Sequence, residues 1–326
     1  MKVCDLRQEG ARSRWSKLLD AVHNRGSQVL DTSARNSYFV AVPNKGTAVL
    51  HQEPPRKRPG GPTSRLGQPP RLTPRTWLLR LVWEYREISR ADIARRTGLS
   101  RSTVSTVMSE LLDSGIVEET RQGSSNGGRR PIMVGFRDNA RTVLGVDVGA
   151  SHIDAVLTNL RGEILERGSR VMPTRDAPEA TLDAITTMAR QLIKASPAPC
   201  LGVGVGLPSP VHPSSGRVPR EVLPRWSEVD VAQALFERID RPVRIDNDAN
   251  LGALAELWWG AGRGGDDLVF VKVATGIGAG LIVNGRIVRG AHGFAGEVGH
   301  LSSDPNGPPC ICGVNGCLNV IMGTEA

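Results

Sequence analysis

One histidine and three cysteines near the carboxyl end of this sequence have side chains and a spacing that suit a chemical role. Their pattern is His300-x9-Cys310-x-Cys312-x4-Cys317. The segment 296–300, Gly-Glu-Val-Gly-His, leads into them. Three thiolates and one imidazole are a ligand set that Zn²⁺ adopts in structural sites. This spacing therefore predicts a structural zinc loop. The alternative is three reduced thiols in a loop rich in glycine and proline.

The composition is typical of a soluble chain with room for two or three domains. The sequence has 326 residues and 39% hydrophobic content, and no apolar run approaches the roughly 20 residues that span a bilayer. It contains five cysteines, and no segment has the pattern of a secretory signal. Because thiols stay reduced in the cytoplasm, we expect a cytoplasmic protein whose clustered cysteines bind metal.

Charge is distributed unevenly along the chain. Residues 1–136 contain 23 Lys and Arg against 12 Asp and Glu, whereas residues 137–326 contain 18 against 21. A basic surface attracts polyanions through long-range electrostatics. The amino-terminal part is therefore predicted to bind nucleic acid, unless the excess charge belongs only to a solvated tail.

Residues 1–70 are predicted to be a disordered basic tail. They lack sustained apolar periodicity, and the stretch 53–70 is rich in Pro, Gly and Arg. Such a composition buries too little apolar surface to offset the loss of chain entropy. The basic cluster 56–58 could attract phosphate without specificity, but a solvated run or a misplaced start codon explains it more simply, and we assign it no role.

Three short helices and two strands are predicted between residues 71 and 137. Thr73, Ser89 and Ser100 can cap the helices, because each precedes residues with helical apolar spacing. Gly98 permits a sharp turn before the third helix, and a polar loop separates two short segments with strand character. This pattern indicates a winged helix-turn-helix domain.

In such a domain the third helix enters the major groove of DNA, and the loop between the strands forms a wing. The outward face of this helix is polar and small enough for close approach, and two wing arginines could contact the backbone or the minor groove. The predicted DNA-binding residues are Arg101, Ser102, Thr103, Ser105, Thr106, Arg129 and Arg130. The alternative is a three-helix protein-interaction module with a solvated polar face.

From residue 142 onward the apolar pattern changes to that of an α/β domain. Buried-strand and helical patterns alternate, as in residues 143–149, 180–195 and 200–207. We expect a first lobe over residues 141–263. A partial second lobe, which carries the zinc loop, is expected over residues 264–326.

Three segments of this α/β region lie at predicted strand ends, where the ligands of α/β domains gather. They are the Asp-Val-Gly turn at 147–149, the Asn-Asp pair at 247–248 and the glycine loop at 275–280. Glycine lets backbone amides approach an anion closely, although tight hairpin turns use the same residues. Together with the zinc loop, these segments predict a ligand-binding site.

The combination of these motifs resembles the ROK family (repressor, open reading frame, kinase) over about residues 73–322. The family is built on the actin-like ATPase fold of sugar kinases. The Gly-Gly-Arg-Arg-Pro segment at 127–131 is similar to the winged domain of the family's transcriptional repressors. The sugar-binding residues that the resemblance implies are Asn247, Asp248, Glu297 and His300. It also implies that Asp248 stands where kinases keep the general base and that His300 joins the three cysteines on zinc.

The sequence departs from the kinases of this family in three ways. Residues 147–151 read Asp-Val-Gly-Ala-Ser, with alanine where kinases have a second glycine, which weakens the approach of phosphate to the backbone. Asn319 stands where a glutamate commonly accepts hydrogen bonds from sugar. The resemblance also stops soon after the zinc loop, so we expect an incomplete second lobe in a truncated chain. Bound ATP and Mg²⁺ are not expected, and the vestigial phosphate loops comprise Asp147, Gly149, Thr275, Gly276 and Gly278.

These features favour a sugar-responsive transcriptional regulator, and more specifically a repressor of genes for carbohydrate uptake or catabolism. It would bind a palindromic double-stranded DNA operator as a homodimer or higher homo-oligomer and would respond to a small sugar or sugar phosphate. A ligand can shift such a protein only through unequal affinity for two conformations. The alternatives are an ATP-dependent sugar kinase with an added DNA-binding module, which would use Asp248, and a truncated chain that folds poorly.

Overall fold

The computed structural model describes residues 39–40, 73–123 and 130–323. The predicted tail at 1–70 lies outside these residues, except for strand β1 (Phe39–Val40), which pairs in parallel with the strand Leu268–Val273. The sequence analysis assigned no strand there. The described residues form a small amino-terminal domain that is followed by a larger α/β domain.

The amino-terminal domain is a winged helix-turn-helix, as predicted. Its elements are, in chain order, α1 (Pro74–Tyr85), β2 (Glu87–Ser89), α2 (Arg90–Thr97), α3 (Arg101–Asp113), β3 (Val117–Gln122) and β4 (Ile132–Phe136). The three strands form one antiparallel sheet in the order β2-β4-β3. Strand β2 was not predicted, because three residues are too few to show an alternating pattern.

Side-chain caps begin all three helices of this domain at the predicted positions. The hydroxyl oxygens of Thr73, Ser89 and Ser100 each accept a hydrogen bond from the backbone N–H three residues further along the chain. Each bond satisfies a donor that the first helical turn leaves without an intrahelical partner. Gly98, with φ +70°, ends α2 and allows the turn into α3.

The core of the winged domain is a single apolar cluster beneath α3. Val104, Met108 and Leu111 of α3 are buried there, because their spacing places them on one stripe of the helix. Val107 and Leu112 are only partly buried and lie at the margins of this stripe.

Lobe 1 of the α/β domain is a five-stranded mixed sheet with two helices. Its elements are β5 (Thr142–Val148), β6 (His152–Asn159), β7 (Ile164–Val171), α4 (Pro178–Lys194), β8 (Cys200–Leu207), α5 (Val231–Ile239) and β9 (Val243–Asn247). The strand order is β7-β6-β5-β8-β9, and β5, β8 and β9 run in parallel. These three strands therefore end at the same edge of the sheet.

Lobe 2 is a smaller sheet against which one helix packs. Its elements are α6 (Asp248–Trp259), β10 (Leu268–Val273), β11 (Ile277–Val283), β12 (Arg286–Val288) and α7 (Leu318–Met322). Ala249 and Ala253 of α6 share a buried cluster with Leu268, Phe270 and Ile282 of the sheet. Helix α6 begins at Asp248, because the side chain of the preceding Asn247 caps it.

Candidate functional site

The exposed face of α3 carries the predicted DNA-contacting side chains. Arg101, Ser102, Ser105 and Thr106 are exposed to solvent. Thr103 is half-buried, and its hydroxyl lies 2.8 Å from the Ser100 hydroxyl that caps the helix. The exposed Ser102 hydroxyl also lies 2.8 Å from that of Ser100, so both hydroxyls contribute to the start of the helix, whereas Arg101, Ser105 and Thr106 are exposed on its outer face.

The wing is described only at its base. Arg130 is exposed just before β4, and Arg129 lies outside the described residues. A basic position that the sequence analysis did not select is Arg95, which is 77% exposed in the last turn of α2 and forms an ion pair with Asp92. Because Arg95 lies immediately before the turn into α3, its sequence position could have identified it as a further basic residue near the predicted DNA-binding face.

The predicted ligand-binding residues of the α/β domain meet at the shared edge of the lobe 1 sheet. The strand register aligns Asp147 of β5 with Gly206 of β8, and Gly206 in turn with Asp246 of β9. A Cβ atom on Gly206 would lie 3.3 Å from an Asp147 carboxylate oxygen and 3.7 Å from the Asp248 Cα. Parallel pairing therefore brings two predicted segments to one place, although 97 residues lie between them in the sequence.

Asn247 is held by protein contacts on both ends of its side-chain amide. Its oxygen accepts the Asn250 backbone N–H at 3.1 Å, and its nitrogen donates to the Ser209 carbonyl at 3.2 Å. The adjacent Asp246 accepts two hydrogen bonds from Arg289, at 3.0 and 2.6 Å. Since Arg289 follows β12, this ion pair connects the Asn247 segment of lobe 1 with lobe 2.

Asp248 forms an ion pair that the sequence analysis missed. Lys272 of β10 donates to one Asp248 carboxylate oxygen at 2.6 Å, while the other oxygen accepts the Ala249 N–H at 2.7 Å. Burial opposes the charge of Lys272, but the negative charges of Asp248 and Asp147 outweigh it and raise the pKa of Lys272. The ammonium group therefore stays charged and neutralises the predicted general base.

Asp147 lies in the same electrostatic environment. Its pKa is raised by desolvation, which the charge of Lys272 opposes and the charge of Asp248 reinforces. Nothing in the sequence pattern singles out Lys272, because a lysine within an apolar strand commonly points to solvent. One cation and two carboxylates thus occupy the centre of the site.

Glu297 is placed near this centre by a tightly packed loop. The loop lies against β11, where any Cβ atom on Gly296 would overlap the Ala279 carbonyl oxygen and one on Gly299 would overlap the Ile277 carbonyl oxygen. Burial raises the pKa of Glu297 to about 7, and the charge of Asp248 acts in the same direction. The predicted sugar-contacting residues Asp248 and Glu297 are therefore electrostatically coupled.

His300 joins the segment that carries Glu297 to the cysteine cluster. One ring nitrogen, Nδ1, lies 3.5 Å from the Cys310 sulfur, and the other, Nε2, lies 4.0 Å from a Glu297 carboxylate oxygen. The ligand atoms of His300, Cys310, Cys312 and Cys317 all lie within 4.8 Å of one another. This arrangement can hold a metal ion, and it leaves Nε2 facing Glu297.

The three clustered thiols are free cysteines in different environments. Burial raises the pKa of Cys317 to about 12, whereas a hydrogen bond from the backbone of Val314 lowers the pKa of the exposed Cys312. The sulfurs of Cys312 and Cys317 are 3.5 Å apart. Sulfur atoms that surround one ion at the usual Zn–S distance of about 2.3 Å lie at comparable separations.

The predicted glycine loop at 275–280 is not a continuous loop: residues 275–276 lie in the tight turn between β10 and β11, and residues 277–280 are the first four residues of β11. Thr275 and Gly276 occupy the turn and are exposed, and Gly276 accepts a hydrogen bond from the Ala274 N–H at 3.0 Å. The nearest protein atoms to a Cβ on Gly276 or Gly278 would lie at 3.6 and 3.7 Å. Contacts within the chain therefore do not demand glycine at these two positions. Gly149 lies in the β5–β6 turn, where its N–H donates to the His152 carbonyl.

Asn319 has a structural role that its sequence position did not reveal. Its side-chain oxygen accepts the Ile277 N–H at 2.6 Å, and its nitrogen lies 3.4 Å from His300 Nε2. The acceptor that a sugar would need is thus used to join α7 to β11. The amide consequently positions His300 from the side opposite the cysteines.

The described architecture is that of a DNA-binding winged helix-turn-helix joined to an α/β domain with a polar strand-end site and a His/Cys cluster. A sequence profile described as winged helix-turn-helix DNA-binding matches residues 78–118, and the profile of the ROK family matches residues 143–326. The chain belongs to the ROK family.

Among the similar proteins are repressors named after sugars. The chain is 36% identical over 252 residues to the xylose repressor of Bacillus subtilis, which covers 76% of this chain and 65% of that protein. It is 32% identical over 260 residues to the N-acetylglucosamine repressor of Escherichia coli O157:H7, which covers 76% and 61% of the two chains. The chain thus spans less than two thirds of the length of these relatives.

Solved structures show the same fold. A ROK family transcriptional regulator described as a homolog of the E. coli MLC protein aligns with a TM-score of 0.64 and 24% identity, over 77% of this chain and 65% of that one. A ROK family glucokinase from Streptomyces griseus, in complex with glucose and AMPPNP, aligns with a TM-score of 0.50 and 30% identity, over 54% and 55%. Within the described ranges, no helix has the length and apolarity to span a membrane.

Proposed function

We propose that this chain is a sugar-responsive DNA-binding transcriptional regulator that represses genes for carbohydrate uptake or catabolism. The observation that carries the proposal is the presence, on one chain, of a winged-domain helix with an exposed polar face and a strand-end cluster of polar side chains that includes Asn247, Asp248 and Glu297. The similar xylose and N-acetylglucosamine repressors support the same function. We also propose that the chain acts in the cytoplasm.

The DNA-binding surface that we propose combines the exposed face of α3 with the wing. Arg101 at the first turn of α3 and Arg129 and Arg130 of the wing supply charge for phosphates, while the small hydroxyl side chains allow approach to base edges. Thr103 acts through the helix start. A homodimer would present two such helices to a palindromic operator.

The cysteine cluster is proposed to hold a structural Zn²⁺. One nitrogen and three sulfurs complete the four-ligand set that zinc uses in structural sites, and these atoms already lie together. The ion would fix the loop that carries Glu297, since His300 belongs to both the cluster and the ligand site. Zinc would contribute folding energy and no redox chemistry.

The effector is proposed to be a small sugar or sugar phosphate. Asp248 and Glu297 offer carboxylate oxygens to hydroxyl groups, and Asn247 keeps one N–H and one lone pair beyond its present partners. Asp246 and Arg289 tie this segment to lobe 2. Occupancy can therefore alter how the two lobes sit against each other if affinity differs between the two arrangements.

A sugar kinase is the second candidate, because Asp248 stands beside the strand-end site of a domain that family kinases share. Kinase chemistry requires a free carboxylate to accept a hydroxyl proton and a cradle for Mg²⁺-bound phosphates. In this chain the Lys272 ammonium group donates a hydrogen bond to the Asp248 carboxylate, and Ala150 adds a Cβ in the first phosphate loop. Both features favour the regulator. A coupled ADP-release assay with common hexoses, repeated with Asp248→Asn, decides between the two candidates.

Selection from a random duplex library tests the DNA-binding part of the proposal. The full chain should enrich a palindromic sequence and bind it with strong salt dependence, and D-xylose or N-acetylglucosamine should weaken the complex. Failure to enrich any sequence, with folded protein, would contradict DNA recognition. Binding that no pentose, hexose or amino sugar changes would contradict sugar control.

A further inference from the structure

The carboxyl end of α6 forms a joint with the winged domain, and no motif in the sequence indicates it. Helix α6 begins at Asp248 in the ligand site and ends at Trp259, and its twelve residues span about 18 Å. Ala249 and Ala253 pack it so closely on β11 that a Cβ on Gly280 would overlap both. Helix α6 must therefore move with the sheet of lobe 2.

Lobe 1 contacts the winged domain through the turn between β6 and β7. The Trp83 indole N–H of α1 donates to the Leu160 carbonyl at 3.2 Å, and the Arg161 guanidinium donates to the Trp83 carbonyl at 2.7 Å. The same guanidinium lies 4.7 Å from the Trp83 ring centroid and forms an ion pair with Asp138 at 2.8 Å. The Arg161 and Asp138 side chains are only 14% and 27% exposed, so this contact is largely shielded from solvent.

Lobe 2 also contacts Trp83, through the carboxyl end of α6. The Trp258 ring meets Trp83 edge to face, with centroids 5.6 Å apart and planes at 82°. The guanidinium of Arg80, one turn before Trp83, lies 4.9 Å over the Trp258 ring, and the Trp259 indole donates to the Arg161 carbonyl at 2.7 Å. Edge-to-face and cation–π contacts depend on geometry, so a small movement of α6 changes them.

We infer that Trp258 is the positioning residue through which the ligand site controls the winged domain, with α6 as the rigid connection. This inference rests on the proposed function. Ligand at Asp248 shifts lobe 2 and α6 relative to lobe 1, while Arg161 keeps α1 anchored to lobe 1. Trp258 then moves against Trp83 and Arg80, and the orientation of α1, and with it α3, depends on the arrangement of the lobes.

The test separates coupling from binding by use of Trp258→Leu, which keeps an apolar side chain but removes the ring. The matched control is Phe236→Leu, an exposed aromatic residue on α5 at 43% exposure. Affinity for the duplex selected by the wild type is measured with and without D-xylose and N-acetylglucosamine, alongside calorimetry for each sugar and circular dichroism for folding. Coupling is the ratio of the two DNA dissociation constants.

Wild type and Phe236→Leu should show a coupling factor of about tenfold, within the usual range of such effects. In Trp258→Leu the factor should fall to within about twofold of unity, while sugar affinity stays unchanged. Equal coupling in all three proteins would overturn the inference and leave the proposed function intact. Absence of coupling in the wild type would instead refute the proposed function.

Hydrogen exchange without sugar provides a second test that holds whatever the effector is. Amides of α1 and of the turn that contains Arg161 should exchange faster in Trp258→Leu than in Phe236→Leu, because the joint has lost one of its two attachments. Arg161→Lys, which keeps the charge but loses the planar stacking and forked donors, should accelerate the same amides. Identical exchange in all variants would show that the joint does not hold the winged domain.

Discussion

Loss of the ion pair between Lys272 and Asp248 should destabilise the protein by a measurable and pH-dependent amount. Lys272→Met removes the ammonium and leaves the Asp248 carboxylate without the partner that now lies at 2.6 Å. The two side chains are 27% and 12% exposed, so the pair lies between exposed pairs, worth about 0–1 kcal/mol, and fully buried pairs, whose disruption costs about 3–5 kcal/mol. We expect the free energy of unfolding to fall by about 2 kcal/mol near neutral pH.

The pH dependence follows from the raised pKa of Lys272. Burial lowers that pKa, but the charges of Asp248 and Asp147 raise it further, so it lies above the unfolded value of 10.5. The contribution of Lys272 is therefore fully present below the unfolded pKa and is lost as the pH rises through the folded one. The difference in the free energy of unfolding between wild type and variant should thus be present near neutral pH and vanish at strongly alkaline pH.

Urea unfolding followed by circular dichroism, at neutral and strongly alkaline pH, measures this difference. Lys194→Met, at the exposed end of α4, is the matched control and should change stability little. The double variant Lys272→Met with Asp248→Asn should recover much of the loss, because no buried charge remains unpaired. A loss equal to that of Lys194→Met, or one that does not vary with pH, would refute the reasoning.

Three further predictions concern the zinc cluster, the packing of α6 and the DNA-binding face. Elemental analysis should find about one zinc per chain, and Cys312→Ser should release it and lower the melting temperature; a metal-free wild type of equal stability would contradict the site. Gly280→Ala should cost about 1–3 kcal/mol in urea unfolding, because its Cβ overlaps the Ala249 carbonyl, whereas Gly204→Ala, with no atom within 4 Å of its Cβ, should be nearly neutral. Arg101→Ala should reduce by about one the slope of log affinity for DNA against log salt, and an unchanged slope would exclude a phosphate contact.

Features that depend on neighbouring residues could be predicted from the sequence. The helix caps at Thr73, Ser89 and Ser100 lie where the sequence places them, since a cap needs only a hydroxyl and an N–H three residues away. The cysteine cluster could also be predicted from the sequence, because four ligands within eighteen positions can converge through local turns. The strand-end segments were found because buried strands have a recognisable pattern.

Pairings between distant residues could not be predicted in the same way. Lys272 was unremarkable within its strand, and its contact with Asp248 exists only because α6 packs on β10 and β11. The role of Asn319 likewise depends on the placement of α7 against β11. A polar residue whose partner comes from another element carries no local signal, because periodicity records burial and not the identity of the neighbour.

By itself the sequence determined the winged helix-turn-helix, the α/β fold that follows it and the clustering of one histidine with three cysteines, all of which rest on short-range chemistry. Tertiary structure alone decided that Lys272 neutralises Asp248, that Arg289 ties Asp246 to lobe 2, and that Trp258 meets Trp83. These contacts join residues that the chain brings together only when helices and sheets pack against one another. The physical reason is that close packing sets which side chains meet, and no single segment contains that information.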